Sequence, residues 1–162
     1  MNSYLDLIQT RQSCRSYDAA KPVERDKLVR CIEAARLAPS ASNKQPWHYY
    51  VVTNPAAAAR LRTLVQPEGA NAFAADCPAF IVAVEEPVES SERLKRLGNG
   101  RRYPLFDLGL GVSQLCLAAT EAGLSTCMLG LFDEDGVKEL LHIGADRRVQ
   151  LVVCIGYAAD AT

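Results

Sequence analysis

Apolar positions recur along the chain with two periods, about 3.6 and about 2 residues, and divide it into helical and extended segments. Between Tyr4 and Thr10, Leu5 and Ile8 lie one helical step apart behind Ser3, whose hydroxyl can cap the first turn, so a short helix is expected. Glu24 to Leu37 repeats the pattern with Leu28, Ile32 and Ala35 on one face, and it stops before Pro39 because a pre-proline residue disfavours the helical region. Trp47 to Val52 is aromatic and β-branched, which reads as a strand. Asn54 and Pro55 then supply an N-cap and a first helical residue for a third helix carrying Leu61 and Leu64.

The apolar run from Pro78 to Val84 has the length of a central strand. Leu105 to Ala122 places Leu108, Val112, Leu115 or Cys116, and Ala119 at helical spacing; it predicts the longest and most buried helix. Its small residues Gly109, Gly111, Ala118 and Ala119 permit close approach of a second helix or a ligand, and Gly123 fits its stop. Thr126 to Leu131 reads as a short strand, Asp133 caps a helix running through Leu141, and Val149 to Gly156 is a last buried strand. Glu85 to Pro104 is charged and aperiodic, the one long irregular segment, which in a compact domain commonly forms a lid or a binding loop. Arg93, Lys95, Arg96, Arg101 and Arg102 make it basic, as a solvated loop or as a contact for an anionic ligand. With no internal repeat or linker, residues 1–162 form one domain of α and β elements.

Composition narrows the function. The 162 residues are 49% hydrophobic, and 18 Lys+Arg against 19 Asp+Glu give a formal net charge of -1, so no nucleic-acid footprint is indicated and any anion site must be local. The six cysteines form no Cys-x-x-Cys pair and lie mostly in apolar stretches, as expected for buried, reduced thiols of a cytoplasmic protein. His48 and His142 have no second ligand at metal spacing, which argues against a zinc site. The chain has no leader-like start and no run of 18 apolar residues, so a cytoplasmic protein with no membrane partner is expected.

Two clusters carry candidate chemistry. Arg11-Gln12-Ser13-Cys14-Arg15-Ser16-Tyr17 sets two guanidinium forks around a hydroxyl, the groups that hold a phosphate, though a helix end also favours arginine for its dipole. Ala38-Pro39-Ser40-Ala41-Ser42-Asn43-Lys44-Gln45-Pro46-Trp47 combines hydroxyls and amides able to bond a heteroaromatic edge with prolines that fix the backbone. A capped turn would account for its serines and for Trp47, but not for so many amides between prolines.

Taken in order, Arg-x-Ser-x-Arg-x-Tyr in Arg11–Tyr17, Ala-Pro-Ser-x-x-Asn-x-Gln-Pro-Trp in Ala38–Trp47, and Gly123-Leu124-Ser125-Thr126-Cys127-Met128-Leu129-Gly130 resemble the FMN-dependent nitroreductase family over nearly the whole chain. The resemblance implies an α+β fold, a three-layer α-β-α sandwich with a mixed, mainly antiparallel sheet. It implies a homodimer with FMN in clefts at the subunit interface. Carried over by position, Arg11, Ser13 and Arg15, with Gln12 beside them, would hold the phosphate and ribityl end. Pro39, Ser40, Ala41, Ser42, Asn43 and Gln45 would lie along the isoalloxazine from the other subunit. Asn71 would bond the pyrimidine edge, and the backbone of Met128, Leu129 and Gly130 would approach the flavin N5. The family's chemistry is ping-pong: NADH or NADPH delivers a hydride to the flavin and leaves, and a nitroaromatic, a quinone or another small acceptor takes its place. No catalytic side chain is required, since the cofactor carries the reaction.

The resemblance also implies rivals: a non-catalytic flavin carrier, or a specialised flavin chemistry such as reductive dehalogenation, flavin cleavage or ring oxidation. Family members commonly continue past the last strand with a segment bearing Lys or Arg that adds to the phosphate site, whereas this sequence ends Ala158-Ala159-Asp160-Ala161-Thr162. Weaker FMN retention, or compensation by Arg101 and Arg102, is expected from that departure. Cys14 stands where the family has an apolar residue and reads as a small core residue, or alternatively as a thiol activated by two guanidiniums.

Overall fold

The computed structural model describes residues 3–159. Of the chain end, Asp160, Ala161 and Thr162 lie outside the described residues. The uninterrupted apolar run becomes β2 (Ala79–Glu85), buried from Ala79 to Val84. It is flanked by β1 (Trp47–Val52) on one side and β4 (Arg148–Gly156) on the other, and β3 (Ser125–Leu129) pairs with the far side of β4. Among the described residues all three strand pairs are antiparallel, and an isolated bridge of Ser13 with Thr126 outside them is parallel. Between Ala83 and Val84 the register shifts past Gln150, which lets Val84 and Val149 pair and join the same core.

Alternation along β2 and β4 then builds two cores. Phe80, Val82, Val84, Val152 and Cys154 pack with α3 (Pro55–Leu64) and α6 (Glu134–Leu141), whereas Ile81, Ala83, Val153 and Ile155 pack with α2 (Arg25–Arg36) and α5 (Tyr103–Glu121). The result is the expected three-layer α-β-α sandwich. The capping residues act as read: Ser3 accepts from the Asp6 N–H at 3.2 Å, Asn54 from Ala56 and Ala57 at 3.0 and 3.1 Å, and Asp133 from Gly136 at 3.0 Å. Gly123 closes α5 at φ 76°, a conformation that favours glycine. Gly111 is required for a different reason: a Cβ there would run into the Tyr49 hydroxyl and lie 3.3 Å from the Ala35 carbonyl oxygen, so its absence lets α2, β1 and α5 close up.

The segment Glu85–Pro104 departs from expectation, because it contains a helix, α4 (Glu92–Leu97). Six residues are too few to display a period, but the local chemistry is helical: Ser91 caps the Leu94 N–H at 3.2 Å and Lys95 pairs with Glu92 at 2.9 Å. β3 is also shorter than Thr126–Leu131, giving way at Gly130. α1 (Tyr4–Thr10) buries none of its residues, and Tyr4, Leu5 and Ile8 remain exposed. Among the described residues no helix is long and apolar enough to cross a membrane, and no group of three His, Cys, Asp or Glu could hold a metal ion.

Candidate functional site

Beyond α1 the chain turns extended and runs beside β3. The Cys14 N–H donates to the Thr126 carbonyl at 2.9 Å, and Ser13 forms its parallel bridge with the same residue. Cys14 and Tyr17 point into the core while Gln12, Ser13 and Arg15 face outward. Cys14 is thus a core residue, 7% exposed, with its thiol donating to the Ser16 carbonyl at 3.1 Å. The Arg15 guanidinium carbon lies 5.9 Å from the centre of the Phe73 ring. Neither Arg11 nor Arg15, on either side of Ser13 in the chain, has an acidic ion-pair partner among the described residues. Gln12, Ser13, Arg15 and the turn at Leu124 and Ser125 line a cavity of about 410 Å³.

Met128, Leu129 and Gly130 continue along the same edge. Because the Thr126 carbonyl points away from β4 toward Cys14, the two-residue period of the strand turns the peptide groups of Met128 toward that open edge as well. The Leu129 side chain is buried, so only its backbone is presented, while Met128 and Gly130 are exposed. Asn71 joins this group: it adopts a left-handed φ of 52° and donates its side-chain amide to the carbonyls of Val65 and Leu131, both at 2.9 Å. It anchors the chain just past Gly130, and its carbonyl oxygen is the end left to accept from a ligand.

The stretch Pro39–Gln45 lies elsewhere. It leads into β1, the opposite edge strand, about 14 Å across the sheet and roughly 20 Å along it from Thr126 by ordinary strand spacings. Within one chain the structure therefore unites Arg11–Arg15, Asn71 and Met128–Gly130, and leaves Pro39, Ser40, Ala41, Ser42, Asn43 and Gln45 as a second, separate patch. That patch is an unusual turn, with Ser42, Asn43 and Gln45 at φ 53°, 52° and 49°. The Ser40 hydroxyl accepts from the Gln45 N–H at 2.9 Å, and both carboxylate oxygens of Asp107, from α5, lie 3.1 Å from the Ala41 nitrogen.

Asp107 and Phe73 were not singled out from sequence. Asp107 left a signal there, a carboxylate between Phe106 and Leu108 in the apolar first half of α5. Arg102 pairs with Glu85 at 2.8 and 3.0 Å, and Arg101 reaches the Gly98 carbonyl at 3.4 Å. All six thiols are buried; burial pushes Cys31 up to about 11 and raises Cys116, and it raises Cys127 against the opposing pull of Arg15 and Ser13.

A two-core α-β-α sandwich with a cationic edge site defines a class of fold shared with solved structures. A nitroreductase family protein from Clostridium novyi NT superposes with a TM-score of 0.84 at 27% identity, over 98% of this chain and 86% of that one. An FMN-dependent nitroreductase from Clostridium difficile R20291 shares the fold with a TM-score of 0.78 at 22% identity, over 98% and 89%. In sequence, the oxygen-insensitive NADPH nitroreductase of Helicobacter acinonychis is 29% identical over 93% of this chain and 85% of its own length. The Nitroreductase family model matches residues 8–68 and 64–157, and the chain belongs to the nitroreductase family.

Proposed function

We propose that the protein is an FMN-dependent oxidoreductase that takes electrons from NADH or NADPH and passes them to a small acceptor such as a nitroaromatic or a quinone. The observation that carries this reading is the pair Arg11 and Arg15 on either side of Ser13 in the chain, joined on one edge by the open peptide groups of Met128 and by Asn71. Relatives named as FMN-dependent and NADPH nitroreductases support it.

The donor set fits FMN. Guanidiniums and a hydroxyl suit a dianionic phosphate, the Asn71 carbonyl suits a ring N–H, and an edge-strand N–H suits a ring nitrogen. Bound there, the flavin would supply reversible hydride acceptance. The chain's own part is to hold and orient, and neither a nucleophile nor a metal is asked of it.

The separation of the two patches supports a homodimer, in which the Pro39–Gln45 turn of one subunit completes the edge site of the other. An apolar surface is present to bury: α5 exposes Phe106 and Leu110 beside Gly109, where an added Cβ would point into open space, and α1 exposes Leu5 at 67%. Six reduced, buried thiols suit a cytoplasmic setting. The test is titration of FMN into the purified protein followed by anaerobic NADH or NADPH. Bleaching of the bound flavin's visible band, restored by a quinone, is expected; bound flavin that no nicotinamide reduces would favour the carrier reading.

A further inference from the structure

We propose that Asp107 is a positioning residue for flavin recognition, acting as a remote N-cap that sets the shape of the Ser40–Gln45 turn and ties it to α5. The inference rests on the FMN reading above and assigns a role to a residue outside the motifs that suggested it.

Ala41 opens a short 3-10 turn, Ala41–Asn43, and the residue before it, Ser40, stands at the N-cap position with the extended backbone an N-cap needs. Yet Ser40 does not cap this turn, because its hydroxyl accepts from the Gln45 N–H at 2.9 Å. The Ala41 N–H is bonded instead by Asp107, 66 residues away, with both carboxylate oxygens at 3.1 Å. The carboxylate is 6% exposed and forms no ion pair among the described residues, so it is not there as half of a salt bridge. The turn's other backbone bonds, Asn43 to Ser40, Lys44 to Ala41 and Trp47 to Gln45, are all local. With three non-glycine residues in the left-handed region, such a turn needs an outside tether to hold one conformation.

The position of that tether has a consequence. Asp107 adjoins Phe106, which is 62% exposed on the apolar face of α5 proposed to meet a second subunit. A bond from Asp107 to Ala41 thus fixes the turn relative to the surface across which it must reach the other subunit's flavin. An Asp here serves as an acceptor, and an amide of the same shape can replace it; a shorter side chain cannot span the gap.

The test uses the full chain and the variants D107A, D107S and D107N, read by amide hydrogen exchange without flavin and by titration with riboflavin and with FMN. In D107A, exchange in residues 40–46 is expected to rise at least tenfold with β2 and β4 unchanged. Riboflavin and FMN should weaken by the same factor, since the turn serves the ring and not the phosphate. D107N should restore both measurements to within about threefold of the unaltered protein. Should D107A fail to fold, D107S, polar but too short to reach Ala41, is expected to show the same local loosening. Unchanged exchange in residues 40–46, undiminished flavin affinity with a loosened turn, or failure of D107N to restore it would each overturn the positioning role alone. Binding of neither flavin by the unaltered protein would overturn the proposed function and this role with it.

Discussion

The Cys14 N–H and the Thr126 carbonyl, 2.9 Å apart, join the segment after α1 to the outer edge of β3, and the candidate site follows from that bond. With Cys14 turned inward, its neighbours Ser13 and Arg15 must face outward on the extended chain, beside the open peptide groups of Met128. The strand beside it is paired into the sheet, so the backbone that carries Arg15 is tied to β3 through the Cys14 to Thr126 bond.

On the proposed reading Arg15 holds the phosphate and not the ring. R15A should weaken FMN by about 1.5–3 kcal/mol, tenfold or more, while leaving riboflavin, which has no phosphate, bound as before. Parallel titrations of the two flavins decide it, and equal losses on both would place Arg15 elsewhere.

Gly111 carries a prediction about stability. A methyl group there would run into the buried Tyr49 hydroxyl and lie 3.3 Å from the Ala35 carbonyl oxygen, a backbone atom of α2. G111A should cost roughly 1–3 kcal/mol, despite the better helix propensity of alanine. In a chain of this size that lowers Tm by roughly 2–4 °C per kcal/mol, measurable by calorimetry.

Much of this molecule could be read from its sequence, and the unread parts share a physical reason. Asn54-Pro55, Asp133 and the run Pro78–Val84 act through their immediate neighbours, so the elements they begin or form were legible. α4 was not, since a six-residue helix is fixed by one cap and one side-chain pair and shows no period. The strand order β1-β2-β4-β3 is non-local as well, and it is what separates Ser13 from Ser42. The Asp107 to Ala41 bond joins residues 66 apart, and nothing near Ala41 announces it. Asn71 was placed in the site by resemblance; the structure adds that its amide also holds Leu131.

Glu134 predicts a pH dependence. Burial alone would raise its carboxyl, but hydrogen bonds from Lys138 and the Val149 N–H, with the charges of Lys138 and Arg148, outweigh it and hold the group below its usual value of 4.5. A carboxyl lowered by folding contributes stability that is present above the unfolded value and is lost as pH falls through the folded one. E134Q should therefore be less stable than the unaltered protein at neutral pH, and the difference should vanish on acidification below 4.5. Thermal melts of both across that range test it; a gap independent of pH would assign the effect to packing instead of charge.

The exposed face of α5 yields the most consequential prediction. The strands that lead to the two patches, β3 beside Ser13 and β1 after Ser42, lie about 14 Å apart across the sheet, with the patches further apart along it, too far for one flavin ring system and its tail to lean on both within a single rigid chain. Phe106 and Leu110 are, with Leu105, exposed apolar side chains on the helix that carries Asp107. Placing two charges there, F106D with L110D, leaves the buried stripe of Leu108, Val112 and Leu115 untouched, so the fold should persist. If a second copy covers this face, the mass measured by light scattering should fall from two chains to one, and FMN affinity should collapse with it although every side chain of the edge site remains. A monomeric variant that still binds FMN as tightly as the unaltered protein would mean that the Pro39–Gln45 turn is not part of the flavin site, and would return those residues to the role of a well-built entry into β1.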